Sequence, residues 1–319
     1  MDWHELISQM RSGSISALSR LITLVENRTK GWEDAMKEIS PITGSAATIG
    51  VTGHPGSGKS CLVGLMAREL ALRGERVGVI AVDPSSQLSG GAFLADRLRM
   101  NTAALDGVYI RSIGSRGAMG GLQQSIRDII RIMEASGKSA ILIETIGVGQ
   151  NEISIAGVAQ LVLLVCAPGQ GDGIQYLKAG VMEIADIYVA NKADLPETER
   201  IVSYLRSVVS QNEDREKNRE RIFKTCALTG EGISALVDEI QRHVSAPWSN
   251  TQKHRALAME EIVALLREKI SNRVAAEWVA GVSYNTDVDA LMEGRKDPYS
   301  LSDDILEKMF PCFQKPDLS

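Results

Sequence analysis

Gly53-His54-Pro55-Gly56-Ser57-Gly58-Lys59-Ser60 is the stretch on which the reading of this 319-residue chain turns. It fits GxxxxGK[ST] in full. It lies between a β-rich run, Ala47–Thr52, and a stretch of helical spacing, Lys59–Arg73, which is the context that motif requires. Glycines let the backbone turn so that successive N–H groups face an anion, and the dipole of the following helix adds positive potential. Lys59 is placed to reach the β- and γ-phosphates of a nucleotide, and Ser60 to offer its hydroxyl to magnesium. Cys61 follows them, and His54 reads as a tolerated loop residue.

Outward from this loop, β-rich runs alternate with helical stretches. The strand candidates are Ala47–Thr52, Val77–Val82, Val108–Arg111, Ala140–Thr145, Leu161–Ala167, Ile187–Ala190 and Ile222–Ala227. Several are apolar on both faces, as buried parallel strands must be. The helix candidates between them are Lys59–Arg73, Gln123–Ser136, Ile174–Ile184 and Ile233–His243. The rhythm predicts an α/β fold, a mostly parallel central sheet covered by helices on both faces. Residues 1–44 read as a helical extension, with Leu6, Ile7, Met10, Ile15, Leu18, Leu21, Ile22 and Val25 near helical spacing. Residues 45–247 carry the α/β domain. Residues 248–319 read as a helical arm, with a helix over Thr251–Val279, a break over Gly281–Asp289 and a short helix over Leu301–Phe310.

Composition limits the remaining classes. The net charge of −5 gives no general attraction to nucleic acid or to an anionic membrane, so phosphate binding has to come from a local site. The apolar run Leu161–Ala167 is far short of the roughly 20 residues that span a bilayer. The N-terminus shows no basic segment leading into an apolar stretch. The 4 cysteines, Cys61, Cys166, Cys226 and Cys312, are scattered, with no CxxC pair, which predicts reduced thiols and a cytoplasmic protein. The charged run Asn212–Arg221 reads as a solvated helix end or loop.

Further motifs follow the phosphate loop in order. Asn191-Lys192-Ala193-Asp194 comes directly after the strand Ile187–Ala190. A carboxylate at Asp194 can accept from guanine N1–H and from its exocyclic amine, a donor pair adenine lacks, so the wrong base leaves the acid unpaired. Asn191 is expected to brace the loop, and the Lys192 stem to lie against the base. CALTGEG, Cys226 to Gly232, can close over the base with its backbone, through Cys226, Ala227 and Leu228, the Ala227 N–H donating to the base oxygen. AILIETIG, Ala140 to Gly147, ends a strand in Glu144, a candidate for magnesium or its water shell, and the Gly147 N–H can sense a γ-phosphate. AVDPSS ends another strand in Asp83, at the sheet edge where ligands bind in open α/β folds. Asp83 is a candidate magnesium-shell ligand or water-positioning group.

Taken together, GHPGSGKS, AVDPSSQLSGGAFLADRLRM, RSIGSRGAMGGL, IETIGVGQNE, KAGVMEIADIYVANKADL and CALTGEGI resemble the MeaB/ArgK family, the methylmalonyl-CoA mutase-associated GTPases that include the methylmalonic aciduria type A protein. The resemblance implies a P-loop GTPase of the SIMIBI type, related to metal-insertion and signal-recognition GTPases that work as dimers. It implies GTP, GDP and magnesium as ligands. It implies a homodimer and, as partner, an adenosylcobalamin-dependent acyl-CoA mutase whose cofactor loading it gates and which it protects. It places Asp83, Asp96, Arg99 and Glu144 at magnesium and first-switch positions. Gly147 and Gln150 fall on a second switch, and Asp172, Gln175 and Lys178 on a third that relays nucleotide state. Lys178 is also a candidate to steady developing charge on the phosphates. Cys61 and Cys226 depart from the family, which commonly has hydroxyl residues there. The alternatives are a metal-insertion GTPase, which calls for a His or Cys cluster, and an ArgK-like kinase, which calls for a lid and an acceptor pocket.

Overall fold

The computed structural model describes residues 2–83, 107–114, 119–145, 155–169, 182–209, 221–244, 252–281 and 283–309. Its centre is a seven-stranded sheet of β1 (Ala47–Gly53), β2 (Val77–Asp83), β3 (Val108–Gly114), β4 (Ala140–Glu144), β5 (Leu161–Cys166), β6 (Ile187–Asn191) and β7 (Ile222–Thr225). The order is β3-β2-β4-β1-β5-β6-β7, and every pairing is parallel. All strand C-termini therefore meet one edge. β1 lies between β4 and β5, where the chain changes direction across the sheet, the position at which open α/β folds form their ligand crevice.

Helices close both faces. On one lie α4 (Lys59–Leu72), which follows three helices of the N-terminal extension, and α7 (Ile233–Val244). Leu62, Val63, Met66 and Leu70 of α4 and Leu236, Val237 and Ile240 of α7 are buried with Val51, Val79, Leu142 and Leu163 of the strands. Each such side chain contributes roughly 1.5–3 kcal/mol on full burial. On the other face α5 (Met119–Ala135) buries Ile126, Ile129, Ile132 and Met133, and α6 (Thr198–Val209) buries Leu205 and Val209.

The extension forms α1 (Trp3–Arg11), α2 (Ile15–Glu26) and α3 (Trp32–Ile39). Asp2 and Ser14 cap the first two by accepting from Glu5 N and Ala17 N. The apolar stripe read from the sequence joins the α5 core through Leu6, Ile7, Met10, Leu18, Leu21, Ile22 and Val25, while Ile15 stays exposed. Arg28 Nη1 donates to Asp128 Oδ2 of α5 at 2.7 Å and lies 3.9 Å from the centre of the Trp32 ring. Burial pushes the Asp128 carboxyl above its ordinary value, and the Arg28 charge works against that shift.

The chain divides into two compact units, Met1–Arg255 and Ala256–Ser319. The second holds most of α8 (Gln252–Val279) with α9 (Tyr284–Met292) and α10 (Pro298–Met309). The break expected over Gly281–Asp289 is corrected: α9 starts within it. Trp278 Nε1 donates to Asp287 Oδ2 at 3.1 Å, and the Trp278 and Tyr284 rings meet edge to face at 4.9 Å. Those contacts, with Asp287 favouring the first turn of a helix, override the weak helix propensity of Asn285, Thr286 and Val288.

Other boundaries also moved. α5 begins at Met119 rather than Gln123. The helix read over Ile174–Ile184 lies largely outside the described residues, and 182–184 form a turn. β7 stops at Thr225, because Cys226 turns to bridge Glu231 in antiparallel fashion. The charged run Asn212–Arg221 falls outside the described residues except for Arg221. No helix among the described residues is long and apolar enough to cross a membrane.

Candidate functional site

Residues 54–58 join the end of β1 to the start of α4, so they reverse the chain at the C-terminal edge of the sheet. Gly53 passes so close to β5 that a Cβ would lie 2.1 Å from the Val165 carbonyl oxygen. Gly58 caps α4 at φ 90° and ψ 22°, where a Cβ would meet Asn191 Nδ2 at 2.4 Å. The loop thus has its close approaches where side chains are missing. Its middle, His54 to Gly56, is exposed, with His54 Nδ1 2.5 Å from Pro55 O. Ser57 is buried. Cys61, in the first turn of the helix, is exposed.

Lys59 folds back over this loop. Its Nζ donates to Gly53 O at 2.6 Å and His54 O at 3.0 Å, and the residue is only 6% exposed. Ser60 Oγ donates to Glu144 Oε1 at 2.5 Å. Glu144 ends β4 in register with Val51 of β1 and Ala81 of β2, and it is 8% exposed. A hydroxyl in contact with a carboxylate is a pair of hard oxygen donors, the type magnesium takes while keeping several waters. The cradle, the lysine and this oxygen pair suit a magnesium-bound phosphate. Asp83 ends β2 opposite Gly114 on the same edge; its side chain is not among those described.

A second set of contacts ties three loops together at Asn191. Its Nδ2 donates to Ser57 O at 2.8 Å, and its Oδ1 accepts from Thr225 Oγ1 at 3.1 Å. All three residues are buried. Lys192 follows in the left-handed region at φ 62°, a conformation that costs about 1–3 kcal/mol in a non-glycine residue. It is held by Thr198 Oγ1 and Leu195 N, which donate to its carbonyl at 2.6 and 2.9 Å. Lys192 Nζ reaches Pro168 O at 3.4 Å, across the end of β5. Asp194 is exposed, and Cys226 Sγ donates to its Oδ1 at 3.2 Å. Ala227 is half-buried and Leu228 exposed beside it.

This order of a phosphate loop, a strand-end acid and an NKAD segment matches the family model described as methylmalonyl-CoA mutase-associated GTPase MeaB, over residues 18–278. The chain belongs to the MeaB family of GTPases.

Among MeaB-like relatives, a Pyrococcus horikoshii protein bearing a provisional GTPase name is 39% identical over 315 residues, covering 96% of this chain and 98% of its own. The GTPase ArgK of Escherichia coli is 38% identical over 195 residues, 60% of this chain and 59% of ArgK. The mouse mitochondrial methylmalonic aciduria type A homolog is 33% identical over 221 residues, 68% of this chain and 51% of that protein. A crystal structure of a LAO/AO transport system kinase shares the fold with a TM-score of 0.66 at 24% identity, covering 96% of this chain and 97% of that one.

The structure brings together Gly53 to Cys61, Glu144, Asn191, Lys192, Asp194 and Cys226 to Leu228 at one sheet edge. Asp96, Arg99, Gly147, Gln150, Asp172, Gln175 and Lys178 lie outside the described residues. Among the described residues, no group of three or more His, Cys, Asp or Glu side chains is arranged to hold a metal ion. Thr225 and Thr198 were not singled out from the sequence, although each closes a contact of the NKAD segment. Their signal is faint: a threonine at a strand end and one opening a helix. The buried Cys166 thiol, at the end of β5, is pushed up to about 12 by burial and stays protonated at neutral pH.

Proposed function

We propose that this GTPase binds GTP and GDP with magnesium at the edge formed by β1, β4, β6 and β7, and hydrolyses GTP there. The observation that carries this reading is the double role of Asn191, which ties the phosphate loop to the two loops proposed to hold the base. In this reading Gly53 to Cys61 cradle the phosphates, and Lys59 leaves its carbonyl partners to meet β- and γ-oxygens. Ser60, Glu144, Asp83 and Asp96 hold the magnesium and its waters. Bound magnesium neutralises negative charge that develops on the phosphates. Asp194 accepts from guanine, Lys192 lies along the base, and Cys226, Ala227 and Leu228 close over it.

The family description supports a role beside a mutase. We propose a chaperone of an adenosylcobalamin-dependent acyl-CoA mutase, acting as a cytoplasmic homodimer that gates cofactor loading. Residues 45–247 form its GTPase domain, with 1–44 as a helical extension and 248–319 as the dimerisation arm. Arg99, Gly147 and Gln150 sense the nucleotide. Asp172, Gln175 and Lys178 relay its state; their stretch of sequence holds glycines at 169, 171 and 173, and a relay needs an element whose equilibrium nucleotide and partner both bias. The test is GTP turnover with and without an adenosylcobalamin-dependent acyl-CoA mutase, for the unmutated chain and Lys178→Ala. The reading expects stimulation by the mutase, most of it lost in the variant. Equal stimulation of both proteins removes Lys178 from the relay, and no stimulation by any such mutase removes the partner.

A further inference from the structure

One peptide of the phosphate loop has no steric hold. The ring of Pro55 locks its own φ, so the Pro55–Gly56 peptide turns about the ψ of Pro55 and the φ of Gly56. Gly56 lies at φ 78°, and a Cβ there would meet nothing within 4 Å. The groups on either side are tied down. Ser57 N and Lys59 Nζ both donate to His54 O, at 3.1 and 3.0 Å, and Asn191 Nδ2 donates to Ser57 O at 2.8 Å. Gly56 N has no backbone acceptor among the described residues. The carbonyl of the same peptide meets the loop's own imidazole: His54 Nδ1 lies 2.5 Å from Pro55 O. A carbonyl oxygen only accepts, so Nδ1 carries the hydrogen and donates it.

We propose that His54 is a positioning residue of the nucleotide cradle, whose ring fixes the Pro55–Gly56 peptide so that the Gly56 N–H faces the bound phosphates. The proposal rests on the phosphate-cradle reading of Gly53 to Cys61. In a trans peptide the carbonyl and the N–H point in opposite directions. A donor that holds Pro55 O on one side of the loop therefore turns the Gly56 N–H to the other. A peptide left free to turn has to be ordered when the anion binds, and that ordering costs affinity. The role belongs to one atom of the ring, a donor nitrogen bonded directly to Cγ. Asparagine Nδ2 occupies that place, whereas glutamine carries its amide one carbon further out. Asparagine can replace the ring, and glutamine, though as polar, cannot.

The experiment measures equilibrium affinities for GDP and GTP, with magnesium, for the full chain and for His54→Ala, His54→Asn and His54→Gln, with thermal melts of all four proteins. NMR follows the Gly56 amide proton of each protein to saturation with GDP. His54→Ala and His54→Gln are expected to lower both affinities about 3- to 10-fold, the scale of one modest hydrogen bond. His54→Asn is expected to stay within about twofold of the unmutated chain. GDP should move the Gly56 amide proton downfield in the unmutated chain and the asparagine variant, and less in the alanine variant. A folded alanine variant with unmutated affinity overturns the proposal. Glutamine that restores affinity where asparagine does not also overturns it, because the far edge of the ring is then at work and not Nδ1. Lost affinity with an unchanged Gly56 shift removes the positioning role as well. If the unmutated chain binds neither GDP nor GTP, the cradle reading itself falls, which separates that failure from the failure of His54.

Discussion

Ser60 Oγ and Glu144 Oε1 stand 2.5 Å apart, joining the first turn of α4 to the last residue of β4. The contact links residues 84 positions apart in the chain. It gathers two oxygen donors beside the phosphate loop. Ser60→Ala and Glu144→Gln are each expected to reduce magnesium-dependent GTP turnover by about 100-fold or more, because a held metal supplies several kcal/mol to the transition state. Circular dichroism of each variant should match the unmutated chain. Unchanged turnover in a folded variant removes that residue from the metal site.

Gly58 gives a sharper test of the cradle. Alanine there has to adopt φ 90° and bring its Cβ against Asn191 Nδ2. The left-handed conformation alone costs about 1–2 kcal/mol. Gly58→Ala is therefore expected to weaken GTP and GDP binding together, by about tenfold or more. Calorimetry that finds both affinities unchanged contradicts the proposed cradle.

Much of this was legible because the decisive signals are local. Ala47–Gly53, the glycine turn and the helix from Lys59 are contiguous, and the buried strands are apolar on both faces whatever packs on them. Contacts between distant residues were not legible. Nothing near Asn191 in the sequence says that its amide reaches Ser57 and its carbonyl oxygen Thr225. The fold-back of Lys59 onto Gly53 O depends on a turn whose shape the motif implies only in outline. α9 is hidden in the sequence because Asn285, Thr286 and Val288 are weak helix formers, and the contacts of Tyr284 and Asp287 with Trp278 come from the preceding helix. α6 carries a pattern visible in the sequence, Val202, Leu205 and Val209 on one face.

Arg28 and Asp128 tie the N-terminal extension to α5, and Asp128 is nearly enclosed. Arg28→Ala leaves a buried carboxylate without its cation and is expected to cost about 3 kcal/mol. Burial raises the Asp128 pKa, so ionisation opposes folding. The contribution of such a group is fully present below its unfolded pKa and is lost as pH rises through the folded one. Removing Arg28 raises the folded value further. Urea unfolding should therefore show a larger penalty at pH 7 than at pH 4. A penalty that is equal at both values, or larger at pH 4, contradicts the account.

The arm proposed for dimerisation exposes Met259, Ile262, Val263, Leu266 and Ile270 along α8. Their spacing puts an apolar stripe on one side of a helix, beside half-buried Leu257, Leu265, Val274 and Trp278. Light scattering at micromolar concentration is expected to give a mass near twice the 34.5 kDa chain. Leu266→Glu with Ile270→Glu should return it to one chain. A monomeric unmutated protein ends the proposal.

Guanine selection at Asp194 is the claim on which the functional reading rests, and the affinity ratio of GTP to ATP, measured by calorimetry with magnesium, reads it directly. A carboxylate built to accept two donors should reject a base that lacks them, and the account predicts at least about 100-fold tighter binding of GTP. Equal affinities for GTP and ATP would contradict it.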